Sequence, residues 1–144
     1  LIDRMSHEAL RMTSPVMHMR RTATEDTEIA GQRIAENEKV IMWYGAANRD
    51  PAVFPNPDVF DLTRQNVEKH VAFGHGVHRC LGNRIAQMQL RMAYERILER
   101  FPNIHWTGKQ KIEPIILVHA ISSLKVNLYG QGAKRPVKVA MPNR

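Results

Sequence analysis

The 144-residue sequence predicts an α+β fold, on three observations. A helical periodicity runs from Leu81 to Phe101. Short apolar runs bounded by turn residues occur on both sides of it and read as strands. Between them, a proline-rich stretch from Pro51 to His70 keeps Val53, Phe54, Val59, Phe60 and Leu62 at intervals. Apolar residues in such a segment argue for irregular chain packed onto the protein rather than a linker, and a long irregular segment in a compact domain tends to be functional.

In chain order, Asp3 to Met12 are good helix formers, with Asp3 at a capping position and Met5, Ala9 and Met12 on one face. Glu8 and Arg11, three apart, share another face, where the ordinary reading is a solvated ion pair worth roughly a few tenths of a kcal/mol. Pro15 ends the helix by forcing extended geometry on Ser14. Val16 to Met19 reads as a short strand, and Glu28 to Ile34 as two strands turning near Gly31. Lys39 to Tyr44 is apolar on both faces after its first residue, which predicts a buried strand. Gly45 to Asp50 fits one helical turn. In Leu81 to Phe101, Leu81, Ile85, Met88 and Met92 form one stripe beside a second of Ala86, Leu90, Tyr94, Ile97 and Phe101. Two adjacent stripes predict a largely buried helix, ended by Pro102. Ile112 to Leu117 and Ser123 to Leu128 read as strands around an irregular 118–122 turn. Residues 130–144, rich in Pro, Gly and Lys/Arg, are expected to form a mobile basic tail.

The length suits one domain with a hydrophobic core. A net charge of +7 raises the question of an acidic partner, but the excess is scattered and its densest run, Lys134 to Lys138, lies in the tail, so no nucleic acid is expected. A single cysteine forms no internal disulfide, and no apolar run approaches membrane-spanning length. Leu1 is not an initiator methionine and the helical pattern begins at once, so the chain is expected to be a C-terminal piece of something larger.

The stretch Phe73-Gly74-His75-Gly76-Val77-His78-Arg79-Cys80-Leu81-Gly82 carries the chemistry. A lone cysteine is most often a small buried hydrophobe. Here it precedes a long helix, whose first-turn amides and dipole favour a thiolate. Gly76 and Gly82 let the chain turn and approach a flat ligand or metal, and His78 and Arg79 add positive charge or donors. Three uses remain open. A nucleophile needs a base, and none is identifiable. A metal site with His75 and His78 matches no zinc spacing. An axial haem ligand needs one thiolate, with Arg21, His78 or Arg20 as propionate partners.

These ten residues resemble, at every position, the haem-binding signature of the cytochrome P-450 monooxygenases. Glu8-Ala9-Leu10-Arg11 resembles that family's Glu-x-x-Arg motif. Asn48-Arg49-Asp50-Pro51 through Phe54, Pro57 and Phe60-Asp61 resembles its meander, and Val118-His119-Ala120-Ile121 its turn into the substrate pocket. The resemblance covers about residues 3–129 and places residues 1–129 in one domain. It implies the C-terminal, haem-binding portion of a mostly helical fold with small sheets.

It further implies haem b (iron protoporphyrin IX) with Cys80 as iron ligand. Arg21, Phe73, Gly74, Gly76, His78, Gly82 and Ala86 would surround the haem, with Arg21 and His78 on its propionates. Glu8 and Arg11 would be structural, tying their helix to the meander, which replaces the solvated-pair reading. Val16, Met17, His18, Val118, His119 and Ala120 would line the substrate side. Family members often have a meander arginine where Val59 stands, leaving Arg49 and Arg64 as substitutes. The implied reaction inserts one atom of O2 into a lipophilic substrate and releases the other as water. The style of Met42 to Asp50 and Met19 to Thr24 is similar to soluble, cytoplasmic bacterial members that hydroxylate alkanes, with terpene, branched-lipid and steroid oxidisers as alternatives. Electrons would come from a ferredoxin and its NAD(P)H-dependent reductase, docking on a basic face of Arg64, Lys69, Arg79 and Arg84. The family's oxygen-activating helix would lie upstream of Leu1, so these residues alone would carry the haem ligand without being a competent enzyme. The reading from another class is a non-catalytic haem- or metal-binding module.

Overall fold

A computed structural model describes residues 1–130; of the expected basic tail, residues 131–144 lie outside the described residues. The first helix, α1 (Ile2–Thr13), ends at Ser14, which is left-handed (φ 40°) rather than extended as Pro15 implies, because its N–H still bonds the Leu10 carbonyl. Asp3 does not cap it. Leu1 holds the capping position without a side-chain bond, and Asp3 lies in the first turn, where its charge suits the positive end of the helix. The buried residues of α1 are Ser6, Glu8 and Arg11, so the polar face, not the methionine face, turns inward.

Strand β1 (His18–Thr22) pairs antiparallel with β4 (Lys39–Trp43), setting Arg21 opposite Val40. β1 begins two residues later than the apolar run suggests; Val16 instead makes an isolated bridge to Val118. The hairpin of β2 (Thr27–Ile29) and β3 (Gln32–Ile34) turns through Ala30 and Gly31, both with positive φ, as the sequence implies. β4 is not buried on both faces. It alternates exposed and half-buried residues, with Trp43 58% exposed, because β1 is its one strand partner among the described residues. The helical turn α2 (Tyr44–Ala47) follows directly, one residue earlier than expected.

Residues 51–72 form turns and a short 3-10 turn at Val67–Lys69. The packing is only partly as expected: of the five apolar residues named there, Phe54 is buried and Leu62 half-buried, while Val53, Val59 and Phe60 are exposed, and Val67 and Ala72 are the other buried hydrophobic residues of the described chain. Around them lie buried Ser6, Glu8, Arg11, Ser14, Asn48, Arg64 and His70, so this core is more polar than apolar.

A 3-10 turn at Gly76–His78 leads to α3 (Asn83–Arg100). No residue of α3 is buried, and Ile85, Met88 and Met92 are more than half exposed. The wide apolar face is real, but α1 packs beside it and leaves most of it uncovered among the described residues. The last pair, β5 (His105–Glu113) and β6 (Ala120–Asn127), is antiparallel with two irregularities in register. The expected strand from Ile112 to Leu117 stops at Glu113 because Pro114 lacks the amide a ladder needs. β6 starts inside the expected 118–122 turn.

Candidate haem-thiolate site

The cysteine loop is built on backbone hydrogen bonds. The Gly74 amide donates to Val71 O at 2.8 Å, the Arg79 amide to Gly76 O at 3.0 Å, and the Cys80 amide to Phe73 O at 2.8 Å. The last bond closes the loop and ties the Cys80 backbone to that of Phe73. Asn83, the first residue of α3, donates from Nδ2 to the Cys80 carbonyl at 2.9 Å. Gly74 and Gly76 take φ of 72° and 68°, which side chains resist. A β-carbon on Gly74 would lie at ordinary contact distance, 3.5 Å, from the Tyr44 hydroxyl and 3.6 Å from His78 O, so the positive φ is what favours glycine there. Gly82, by contrast, has φ of −80°, so the backbone does not need a glycine there, and Gly74 joins Gly76 as the turn-making residue.

The loop forms one wall of a concavity of about 530 Å³. Cys80, His78, Gly74 and Phe73 come from the loop; Arg21 and Met19 from β1; Leu10, Val16 and Tyr44 complete the wall. Arg21 and His78, far apart in sequence, therefore share one cavity with the cysteine. Cys80 is exposed, and Arg21 is held by a donated bond from its guanidinium to Arg20 O at 3.0 Å. Ala86, Gly76 and Gly82 are not among the cavity's wall residues, and neither are Met17, His18 and Val118. His119 and Ala120 line a second apolar concavity of about 520 Å³ with Met12, Pro15, Ile112 and Ile121. The 118–120 turn is tied to the end of α1: the His119 amide donates to Pro15 O at 2.8 Å, and its ring Nδ1 lies 2.8 Å from Thr13 O.

The donor set tests what the larger cavity could hold. It offers one thiol, the thioether of Met19, two cationic or near-cationic side chains and otherwise apolar or aromatic surface. A bare metal ion needs three or four protein ligands, and among the described residues no three His, Cys, Asp or Glu side chains converge. A flat apolar macrocycle with an iron at its centre and carboxylates on its edge fits the same set.

Beneath the loop lies a buried ionic network. Arg11 donates from Nε to Glu8 Oε2 and from Nη2 to Glu8 Oε1, both at 2.8 Å, with both side chains 0% exposed. Arg11 Nη1 bonds the carbonyls of Asn48 and Pro57. Arg64 supplies the third charge, donating to Glu8 Oε1 at 3.2 Å and to the Pro55, Asn56 and Val59 carbonyls. The backbone oxygen of Val59 is thus held although its side chain cannot contribute a cation. Arg64 is consequently buried and does not belong to the exposed basic face, whereas Lys69, Arg79 and Arg84 are exposed. Arg49 pairs with exposed Asp58 instead. Burial alone would raise the Glu8 carboxyl, but bonds from Arg11, the Asp61 amide and Arg64 more than reverse this and lower it to about 2.

Asn48 was legible only as part of the meander, yet it is a fully buried junction. Its Nδ2 donates to Ser14 Oγ at 2.9 Å and its Oδ1 accepts the Val71 amide at 2.7 Å. It thereby joins the end of α1 to the approach of the cysteine loop.

A cytochrome P-450 family model matches residues 1–126. A linalool 8-monooxygenase of Pseudomonas putida is 44% identical over 128 residues, 89% of this chain and 31% of that protein. The crystal structure of P450BioI in complex with an acyl carrier protein ligated to hexadec-9Z-enoic acid superposes with TM-score 0.84 at 39% identity, covering 88% of this chain and 33% of that one. The cytochrome P-450-153 of Novosphingobium aromaticivorans superposes with TM-score 0.81 at 43% identity, covering 87% and 32%. The chain spans about a third of the length of the curated relatives it matches. Among the described residues no helix is long and apolar enough to cross a membrane. With the ten-residue loop, the buried Glu8–Arg11–Arg64 network and the small sheets all in place, the chain belongs to the cytochrome P-450 family.

Proposed function

We propose that this chain forms the haem-binding part of a haem-thiolate monooxygenase that hydroxylates an alkane or similar aliphatic chain. The observation that carries the reading is the convergence of Cys80, Arg21 and His78 on one largely apolar cavity. Haem b, when bound, would supply reductive activation of O2, with the Cys80 thiolate as the electron-rich iron ligand.

The chain's own residues would divide the remaining work. Arg21 and His78 would hold the propionates through charge-assisted bonds. Phe73 would shield the Cys80 sulfur from water, and Gly74 and Gly76 would keep the loop low enough for a flat ring. Ala86, on the first turns of α3, and Gly82 would lie near the same face. Glu8 and Arg11, with Arg64, would hold the meander beneath the loop. Val16, Met17, His18, Val118, His119 and Ala120 would shape the substrate side, where apolar walls favour a lipophilic molecule. An aliphatic substrate is supported by two relatives, one named for linalool and one bound to a hexadecenoyl chain. Electrons would arrive from a ferredoxin and its NAD(P)H-dependent reductase, with Lys69, Arg79 and Arg84 meeting an acidic partner.

The test is oxygen accounting. The complete gene product, supplied with haem, ferredoxin, reductase and NADPH under isotopically labelled dioxygen, should place one labelled atom in an aliphatic alcohol and the other in water. Absence of label from product across alkanes, terpenes, fatty acids and steroids would overturn the reading.

A further inference from the structure

Two histidines that the haem-thiolate reading does not use connect α1 to the cysteine loop. His7 Nδ1 lies 3.1 Å from His70 Nε2. His70 is buried, 9% exposed, and its other nitrogen, Nδ1, accepts the Ala72 amide at 3.2 Å. An imidazole nitrogen that accepts an N–H carries no proton of its own, so the His70 proton sits on Nε2. That fixes the direction of the contact: His70 Nε2–H donates to a bare Nδ1 on His7. The His70 ring also packs against Phe73, centroids 5.9 Å apart, and Phe73 O accepts the Cys80 amide. A continuous series of contacts thus runs from α1 through two neutral imidazoles to the backbone of Cys80.

We propose that His7 is a positioning residue for the cysteine loop, acting through His70, and that the pair forms a proton-sensitive latch. A proton on His7 Nδ1 would oppose two N–H groups across the contact. A proton on His70 Nδ1 would expel the Ala72 amide. Either event removes a bond that orders the loop. A metal ion bridging the two rings is disfavoured, because it would take the Nε2 proton from a ring whose Nδ1 is already engaged.

The surroundings favour a neutral His70. Arg11, Arg79 and His7 face His70, against Glu8 alone, whose oxygens are taken by Arg11, Arg64 and the Asp61 amide. Asp3, Arg84 and Arg91 border the His7 side, where Asp3 pairs with Arg91. Burial first, then a charge on His7 when it is protonated, and then Arg79 and Arg11 lower His70 to about 4. The link from latch to iron ligand rests on the Cys80 assignment proposed above; the latch itself requires no haem.

The test is hydrogen exchange of the complete gene product, read over residues 70–82 and over the β5–β6 hairpin and corrected for intrinsic rates. At pH 7.5, His7→Lys places a permanent cation in the latch and should speed exchange in 70–82 by about threefold to tenfold, the effect of losing one ordinary hydrogen bond. His7→Asn keeps an acceptor at the δ position and should match wild type at pH 7.5. In the wild type, lowering the pH to 4.5 should speed 70–82 before the hairpin responds. Nitrogen NMR should find His70 as the Nε2–H tautomer. The proposal is overturned if His7→Lys leaves 70–82 unchanged, if His7→Asn is as fast as His7→Lys, if acid loosens both regions together, or if His70 carries its proton on Nδ1. These outcomes are independent of whether Cys80 binds iron.

Discussion

Glu8 and Arg64 stand 56 residues apart in the chain and meet at 3.2 Å in an ion pair whose side chains are 0% and 5% exposed. Glu8 Oε1 also accepts from Arg11 Nη2 and from the Asp61 amide, so one carboxylate oxygen gathers α1, the meander and the approach to the loop. Glu8→Gln leaves two buried guanidiniums short of a counter-charge. Breaking a buried pair from one side costs about 3–5 kcal/mol, and denaturant unfolding of the complete gene product should show a loss of that size. A loss below about 1 kcal/mol would mean that the network is solvated in solution.

Acid should weaken the protein in two successive windows that meet near pH 4. His70 is lowered from 6.5 to about 4: the unfolded chain takes up this proton first, so stability is full above 6.5 and declines as pH falls to about 4, by about 3 kcal/mol in all. Glu8 is lowered from 4.5 to about 2, so its contribution is full above 4.5 and is lost as pH falls towards 2. Both slopes have the same sign because the unfolded state binds more protons in each case. His70→Asn, which keeps an acceptor for the Ala72 amide, should flatten the upper window and leave the lower one. Unchanged slopes in the variant would contradict the His70 assignment.

The loop glycines should separate. Gly74→Ala would find ordinary contact distances, 3.5 and 3.6 Å, to the Tyr44 hydroxyl and His78 carbonyl, but a positive φ of 72°, so it should cost about 1–2 kcal/mol. Gly82→Ala has an allowed φ and its nearest neighbour is the Cys80 sulfur at 3.9 Å, so thermal unfolding should move within about 0.5 kcal/mol. Equal losses at both positions would show that backbone strain does not decide the matter.

What the residues disclosed divides along physical lines. The β2–β3 hairpin was legible because Gly31 punctuates it, and the cysteine loop because its residue types have few other uses in that order. The burial of α3 was not: a periodicity of Ile85, Met88 and Met92 reveals an apolar face but not what covers it. Burial of Glu8 and Arg11 is invisible to i, i+3 spacing, which is the same for a solvated pair. Arg64 and Asn48 lie in irregular chain, where no period relates a position to its neighbours in space. The His7–His70 contact crosses 63 residues, and only the fold brings the two rings together.

The proposed role of Cys80 as iron ligand has a direct spectroscopic signature. The measurement is the reduced, CO-bound absorption spectrum of the haem-loaded complete gene product beside its Cys80→Ala variant. The wild type should show the red-shifted thiolate band and the variant should lack it. A histidine-type band in the wild type, or a thiolate band that survives the loss of Cys80, would contradict the account.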